Sequence, residues 1–123
     1  MIHTDFDSGM LSYLGDAVWE LLVREHVFSL VPHGNKKANT LALLFVTAKA
    51  QCEALAKIMP HLTEEETEIF KWGRNTRVHT FPRSVSPEDY RRATGLEVLF
   101  GYLHMTKNCE RYRELFKIAY DLQ

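Results

Sequence analysis

Residues 11–20, LSYLGDAVWE, read as the middle of an amphipathic helix whose apolar face holds Leu11, Leu14, Ala17 and Val18. Gly15 and Asp16 stand at its centre. Glycine costs about 1 kcal/mol relative to alanine inside a helix, and aspartate is also a poor helix former. A pair that weakens its own helix points to chemistry at the aspartate and to a close neighbour at the glycine.

The surroundings bound that chemistry. The chain has 123 residues, which suits one domain with one core. A hydrophobic share of 46% and a charged share of 25% exclude a disordered chain. No apolar run reaches a membrane span, and Met1–Asp5 has neither the basic start nor the apolar stretch of a signal peptide. Cys52 and Cys109 are isolated, without metal-binding spacing, as expected of reduced thiols in a cytoplasmic protein. The net charge of −1 hides an uneven distribution. Residues 71–92 carry Lys71, Arg74, Arg77, Arg83, Arg91 and Arg92 against Glu88 and Asp89, a local +4. Such a segment is either a solvated loop and helix end or a phosphate-binding surface.

Period and punctuation predict five helices and no strand, hence an all-α fold. The first runs from about Ser8 to Leu30, before Pro32 and Gly34. The second spans Lys36 to Ile58, with Leu41, Leu44, Phe45, Ala48, Cys52 and Leu55 on its apolar stripe. Thr63 and Glu66 form a capping box for a third, about 64–72. Residues 73–85, GRNTRVHTFPRSV, have no period and read as a loop carrying Arg77, His79 and Arg83. Ser86-Pro87-Glu88-Asp89 opens a fourth helix running to about Met105, and Asn108 is placed to cap the last.

The fourth helix holds a second anomaly, Glu97 within the run Leu96, Val98, Leu99, Phe100. Its neighbours one turn away, Ala93, Thr94 and Gly101, are small. Small residues permit close helix approach, so the first and fourth helices could cross with Asp16 facing Glu97. Two carboxylates in a partly dry place repel, and one takes up a proton unless a cation intervenes. A hard divalent ion with oxygen ligands, such as Mg²⁺, resolves this. On spacing alone, the same residues could instead serve helix ends or pair with Arg or Lys. Six histidines show neither HExxH nor an i,i+4 pair, which disfavours zinc.

YLGDAVWELLVREH (13–26) resembles the signature stretch of the ribonuclease III catalytic domain, and ATGLEVLFGYL (93–103) resembles its second metal-binding helix. Full-length members have a Glu where Ser12 stands and an Asp where Thr94 stands. They also carry a double-stranded-RNA-binding domain, which is not expected here, so residues 1–123 are expected to form one catalytic domain. These departures resemble the short branch, Mini-ribonuclease III. TAKAQCEAL (47–55, with Lys49 and Gln51), KWGRNTR (71–77) and YRRATGLEVLFGYL (90–103) resemble that branch too.

The resemblance implies the helical bundle of the ribonuclease III endonuclease domain. It implies a Mg²⁺-dependent endoribonuclease that cuts double-stranded RNA to 5′-phosphate and 3′-hydroxyl ends, maturing precursor 23S ribosomal RNA. Asp16 and Glu97 would be the catalytic metal ligands, with Glu20 and Lys49 as weaker candidates for a supporting role. Arg74, Asn75, Arg77, Arg83 and Arg91 are the candidates for RNA contact. A homodimer is expected, and a ribosomal protein is a further candidate partner. The alternative reading is a non-catalytic helical module that binds double-stranded RNA or ribosomes, favoured by Ser12 and Thr94 in place of acids.

Overall fold

The computed structural model describes residues 4–78 and 80–122. The expectation for His79 therefore lies outside the described residues. Among these the secondary structure is entirely helical: α1 (Ser8–Leu30), α2 (Asn35–Val46), α3 (Ala48–Ile58), a 3-10 turn (Met59–His61), α4 (Glu64–Arg74), α5 (Pro87–Met105) and α6 (Cys109–Ala119).

The helix starts follow local hydrogen-bond chemistry. Asp7, rather than Ser8, caps α1 by accepting from the Met10 N–H at 2.9 Å. Thr63 and Glu66 complete the expected capping box of α4. Ser86 accepts from the Asp89 N–H, and Pro87 occupies the first turn of α5. Asn108 precedes α6, but its amide donates to Thr106 instead of capping the helix with its side chain.

The single helix expected over 36–58 is two. Thr47 is extended (φ −71°, ψ 156°), and its hydroxyl accepts from the Ala50 N–H at 3.1 Å. A threonine that caps the helix after it competes with continuation of the helix before it. The Trp19 indole N–H then donates to the Phe45 carbonyl at 3.0 Å, satisfying an acceptor near the end of α2. The break resets the phase. The buried stripe of α3 is Gln51, Ala54, Leu55 and Ile58, while Leu44 on α2 faces outward.

The core centres on α1 and α5, where Trp19, Val23, Leu96, Val98, Leu99 and Phe100 are essentially inaccessible. The two helices touch backbone to backbone: a Cβ on Gly101 would lie 2.1 Å from the Leu11 carbonyl oxygen. Glycine is kept because no side chain fits between them. On the far side, Arg111 of α6 donates two hydrogen bonds to the Glu66 carboxylate (2.7 and 2.8 Å) and one to the His61 carbonyl (2.8 Å), tying α6 to the start of α4.

Candidate active site

The crossing of α1 and α5 decides where the two anomalous acids meet. Gly15 abuts the backbone of Glu97, so the adjacent Asp16 is carried alongside the Glu97 side chain. Their carboxyl groups are within hydrogen-bonding contact. The facing expected from the small neighbours of Glu97 is present. Asp16 lies on the exposed flank of α1, whereas Glu97 is partly buried.

Glu97 has two further partners. The Ser12 hydroxyl donates to its Oε1 at 3.1 Å, and the Gln51 amide of α3 lines the same cavity beside it. Burial, then the negative charge of Asp16, pushes the Glu97 carboxyl up to about 8, against the opposing pull of those two groups. The side chain borders a cavity of about 270 Å³ that Ser8, Ser12, Gln51, Thr76, Tyr90 and Thr94 also line. Ser12 and Thr94, the positions noted for their lack of acids, therefore put hydroxyl-bearing side chains around Glu97.

The donors suit a hard cation. Two adjacent carboxyls repel when both are ionised, and a divalent ion would remove that repulsion while accepting their oxygens. No group of three His, Cys, Asp or Glu side chains assembles among the described residues. An ion held by Asp16 and Glu97 would fill its other positions with water or substrate oxygens, as Mg²⁺ can.

The basic segment divides into two groups. Arg74 and Asn75 at the end of α4 and Arg91 and Arg92 in the first turns of α5 line a concavity of about 460 Å³ with Pro87 and Glu88. Arg92 is paired there with Glu88. Three of the five expected RNA-contact residues, Arg74, Asn75 and Arg91, are thereby brought together. Arg77 and Arg83 are exposed on the connection between α4 and α5 and do not line that concavity. The connection is anchored: Thr76 bonds Ser8 and the Trp72 carbonyl, and Phe81 packs edge-on to Tyr90 beneath the Arg91 guanidinium. Thr76 and Val78 bring it to the cavity beside Glu97.

Glu20 forms an exposed ion pair with Arg24 at 3.0 Å. Lys49 is exposed in the first turn of α3. Sequence reasoning gave no local role to Gln51 or Ser12 at the carboxyl pair. For Gln51 a signal existed, a polar residue in register with Ala54, Leu55 and Ile58, but assuming an unbroken helix put Cys52 on the stripe instead.

A Ribonuclease III domain matches residues 9–108. The chain is 41% identical over 114 residues to a Mini-ribonuclease 3 of Symbiobacterium thermophilum, covering 90% of this chain and 85% of that one. It is 43% identical over 110 residues to a Mini-ribonuclease 3 of Enterococcus faecalis, covering 85% and 81%. The crystal structure of protein FN1578 from Fusobacterium nucleatum superposes with a TM-score of 0.82 at 32% identity, covering 95% of this chain and 94% of that one.

Proposed function

The chain belongs to the ribonuclease III family, in its Mini-ribonuclease 3 branch, and is an endoribonuclease of that type; from this we propose that it uses Mg²⁺, held by Asp16 and Glu97, to hydrolyse double-stranded RNA to 5′-phosphate and 3′-hydroxyl ends. The observation that carries the site assignment is the contact between the two carboxyls at a crossing that leaves no room for a side chain at Gly15. A divalent ion is the cofactor that family membership suggests, and the all-oxygen donor set favours Mg²⁺.

The residues divide the work. Asp16 approaches from the exposed flank of α1 and Glu97 from the half-buried face of α5, so a cation between them would touch both solvent and protein. When bound, such an ion supplies Lewis acidity at a phosphate and makes water a stronger nucleophile at neutral pH. Ser12 donates to Glu97 without adding charge. In this reading Arg74, Asn75 and Arg91 hold backbone phosphates, and Arg77 and Arg83 on the anchored connection make further phosphate contacts. Recognition through phosphates and shape suits duplex RNA, whose deep major groove is closed to side chains.

The enzyme works as a homodimer, in which two-fold symmetry presents one site to each antiparallel strand. Support comes from α1, where Met10, Tyr13, Ala17, Leu21 and Phe28 form an exposed row at helical spacing, with Tyr13 78% and Phe28 68% accessible. No helix among the described residues is long and apolar enough to cross a membrane. The substrate we assign is the stem of precursor 23S ribosomal RNA in the cytoplasm, with a ribosomal protein as a candidate partner.

The test is cleavage of a long RNA duplex by purified protein with and without Mg²⁺, with end-group analysis of the products. Cleavage only with the ion supports the reading. Metal-independent cleavage would overturn the cofactor assignment, and duplex binding without cleavage would turn the reading to the non-catalytic alternative.

A further inference from the structure

Gln51 and Glu66 are the two buried polar or charged side chains among the described residues, and the contrast between their settings is informative. Glu66 is met by the Arg111 guanidinium, so its charge is neutralised within the protein. Glu97, the partly buried acid at the helix crossing, is met by neutral groups, the Ser12 hydroxyl that donates to it and the Gln51 amide that lines the same cavity. A guanidinium or ammonium there would compete with any external cation for the carboxylate. An amide and a hydroxyl fix its orientation and leave its charge to be used.

Gln51 is only 3% exposed, and an amide so deeply buried is costly unless hydrogen-bonded. It lines the cavity beside Glu97 together with Ser12, and no Lys, Arg or His stands among the described residues that line that cavity. Its placement follows from the break at Thr47. The Gln51 N–H bonds the Thr47 carbonyl at 2.9 Å in the first turn of α3, and the new helical phase turns position 51 inward toward α5.

We infer that Gln51 is a positioning residue for Glu97: its side-chain amide donates to the carboxylate from α3 while Ser12 donates from α1, so that the carboxyl is held toward Asp16. This rests on the reading of Glu97 as a metal ligand. Neighbours that orient ligating groups typically contribute roughly 10- to 100-fold to metal affinity or activity.

The substitution Gln51→Met keeps length and removes the donor. The expected result is a folded enzyme whose kcat falls roughly 10- to 100-fold and whose Mg²⁺ affinity, measured by calorimetry on the protein alone, weakens similarly, with KM for duplex RNA little changed. A variant within twofold of the parent in kcat and Mg²⁺ affinity, while Glu97→Gln is inactive, would leave Gln51 as packing only and overturn this inference. Full activity in Glu97→Gln would instead overturn the ligand reading beneath it. A measurement on metal-free protein covers the case in which Gln51→Met does not fold. The Gln51 side-chain amide resonances should shift on Glu97→Gln more than those of any other Gln or Asn. Unmoved Gln51 resonances would count decisively against the hydrogen bond.

Discussion

Gly15 and Glu97 are so close that a Cβ on the glycine would stand 1.7 Å from the Glu97 carbonyl oxygen and 2.5 Å from its carbonyl carbon. Both obstacles are backbone, so no rotamer change can make room. Gly15→Ala, which raises intrinsic helix propensity, should therefore destabilise the fold by about 3 kcal/mol or more, because α1 and α5 must separate through a packed core. Thermal unfolding measures it. A melting temperature equal to or above the parent's would show that the helices are not in backbone contact.

Neutralising the acids should separate chemistry from stability. Asp16→Asn and Glu97→Gln keep shape but lose ligand charge, so each should reduce duplex cleavage by orders of magnitude. Neither should weaken duplex binding, and Glu97→Gln should leave metal-free stability at neutral pH unchanged or higher, since burial and the Asp16 charge make an ionisable carboxyl costly at this position. Single-turnover cleavage and melting curves on the same preparations decide the matter, and near-normal turnover by either variant would sink the ligand assignment.

Replacing arginines should act on affinity across sequences. Arg74→Ala with Arg91→Ala, and separately Arg77→Ala with Arg83→Ala, should weaken binding to unrelated duplexes alike and flatten its salt dependence by about 1 unit of slope for each phosphate left without its arginine. Binding is followed against salt in Ca²⁺, chosen to hinder cleavage. An unchanged slope for a pair would remove it from the RNA surface.

The buried ion pair predicts an acid-sensitive contribution to stability. Burial alone would raise Glu66, but the hydrogen bonds from Arg111 and from the Thr63 backbone outweigh it and hold its carboxyl below the ordinary 4.5. A depressed folded value means the unfolded chain binds the proton first. The stabilisation is thus complete above about pH 4.5 and disappears as pH falls through the lower folded value. Glu66→Gln should flatten stability against pH in that acid window and, by leaving Arg111 without its charge partner, cost about 3 kcal/mol at neutral pH. Denaturant melts of both proteins across the acid range test this. Parallel curves would show that the pair makes no such contribution.

A charge on the exposed row of α1 should split the proposed dimer. Tyr13→Glu with Leu21→Glu places carboxylates on accessible positions, so the monomer should fold normally while self-association is abolished. Sedimentation at micromolar concentration is the readout. A variant that remains dimeric would move the interface elsewhere.

Much of this protein is set by interactions within a few residues of chain. Apolar period, the Thr63–Glu66 capping box and the Ser86-Pro87 start place α4 and α5 because helix hydrogen bonds and caps close over three or four residues. The Gly15–Asp16 pair, which weakens its own helix, and Glu97, a charge within an apolar run, stand out for the same reason. Tertiary structure decided what those choices serve. A threonine compatible with a helix interior broke the chain at 47, where Trp19 satisfies a carbonyl that continued helix would have used, and the new phase put Gln51 rather than Cys52 inward. Likewise, the basic residues are adjacent only in composition until helix packing gathers Arg74, Asn75 and Arg91 and leaves Arg77 and Arg83 outside. Hydrogen bonds between residues 12 and 97, or 66 and 111, have no local period to announce them, because their geometry exists only once the core has brought distant helices together.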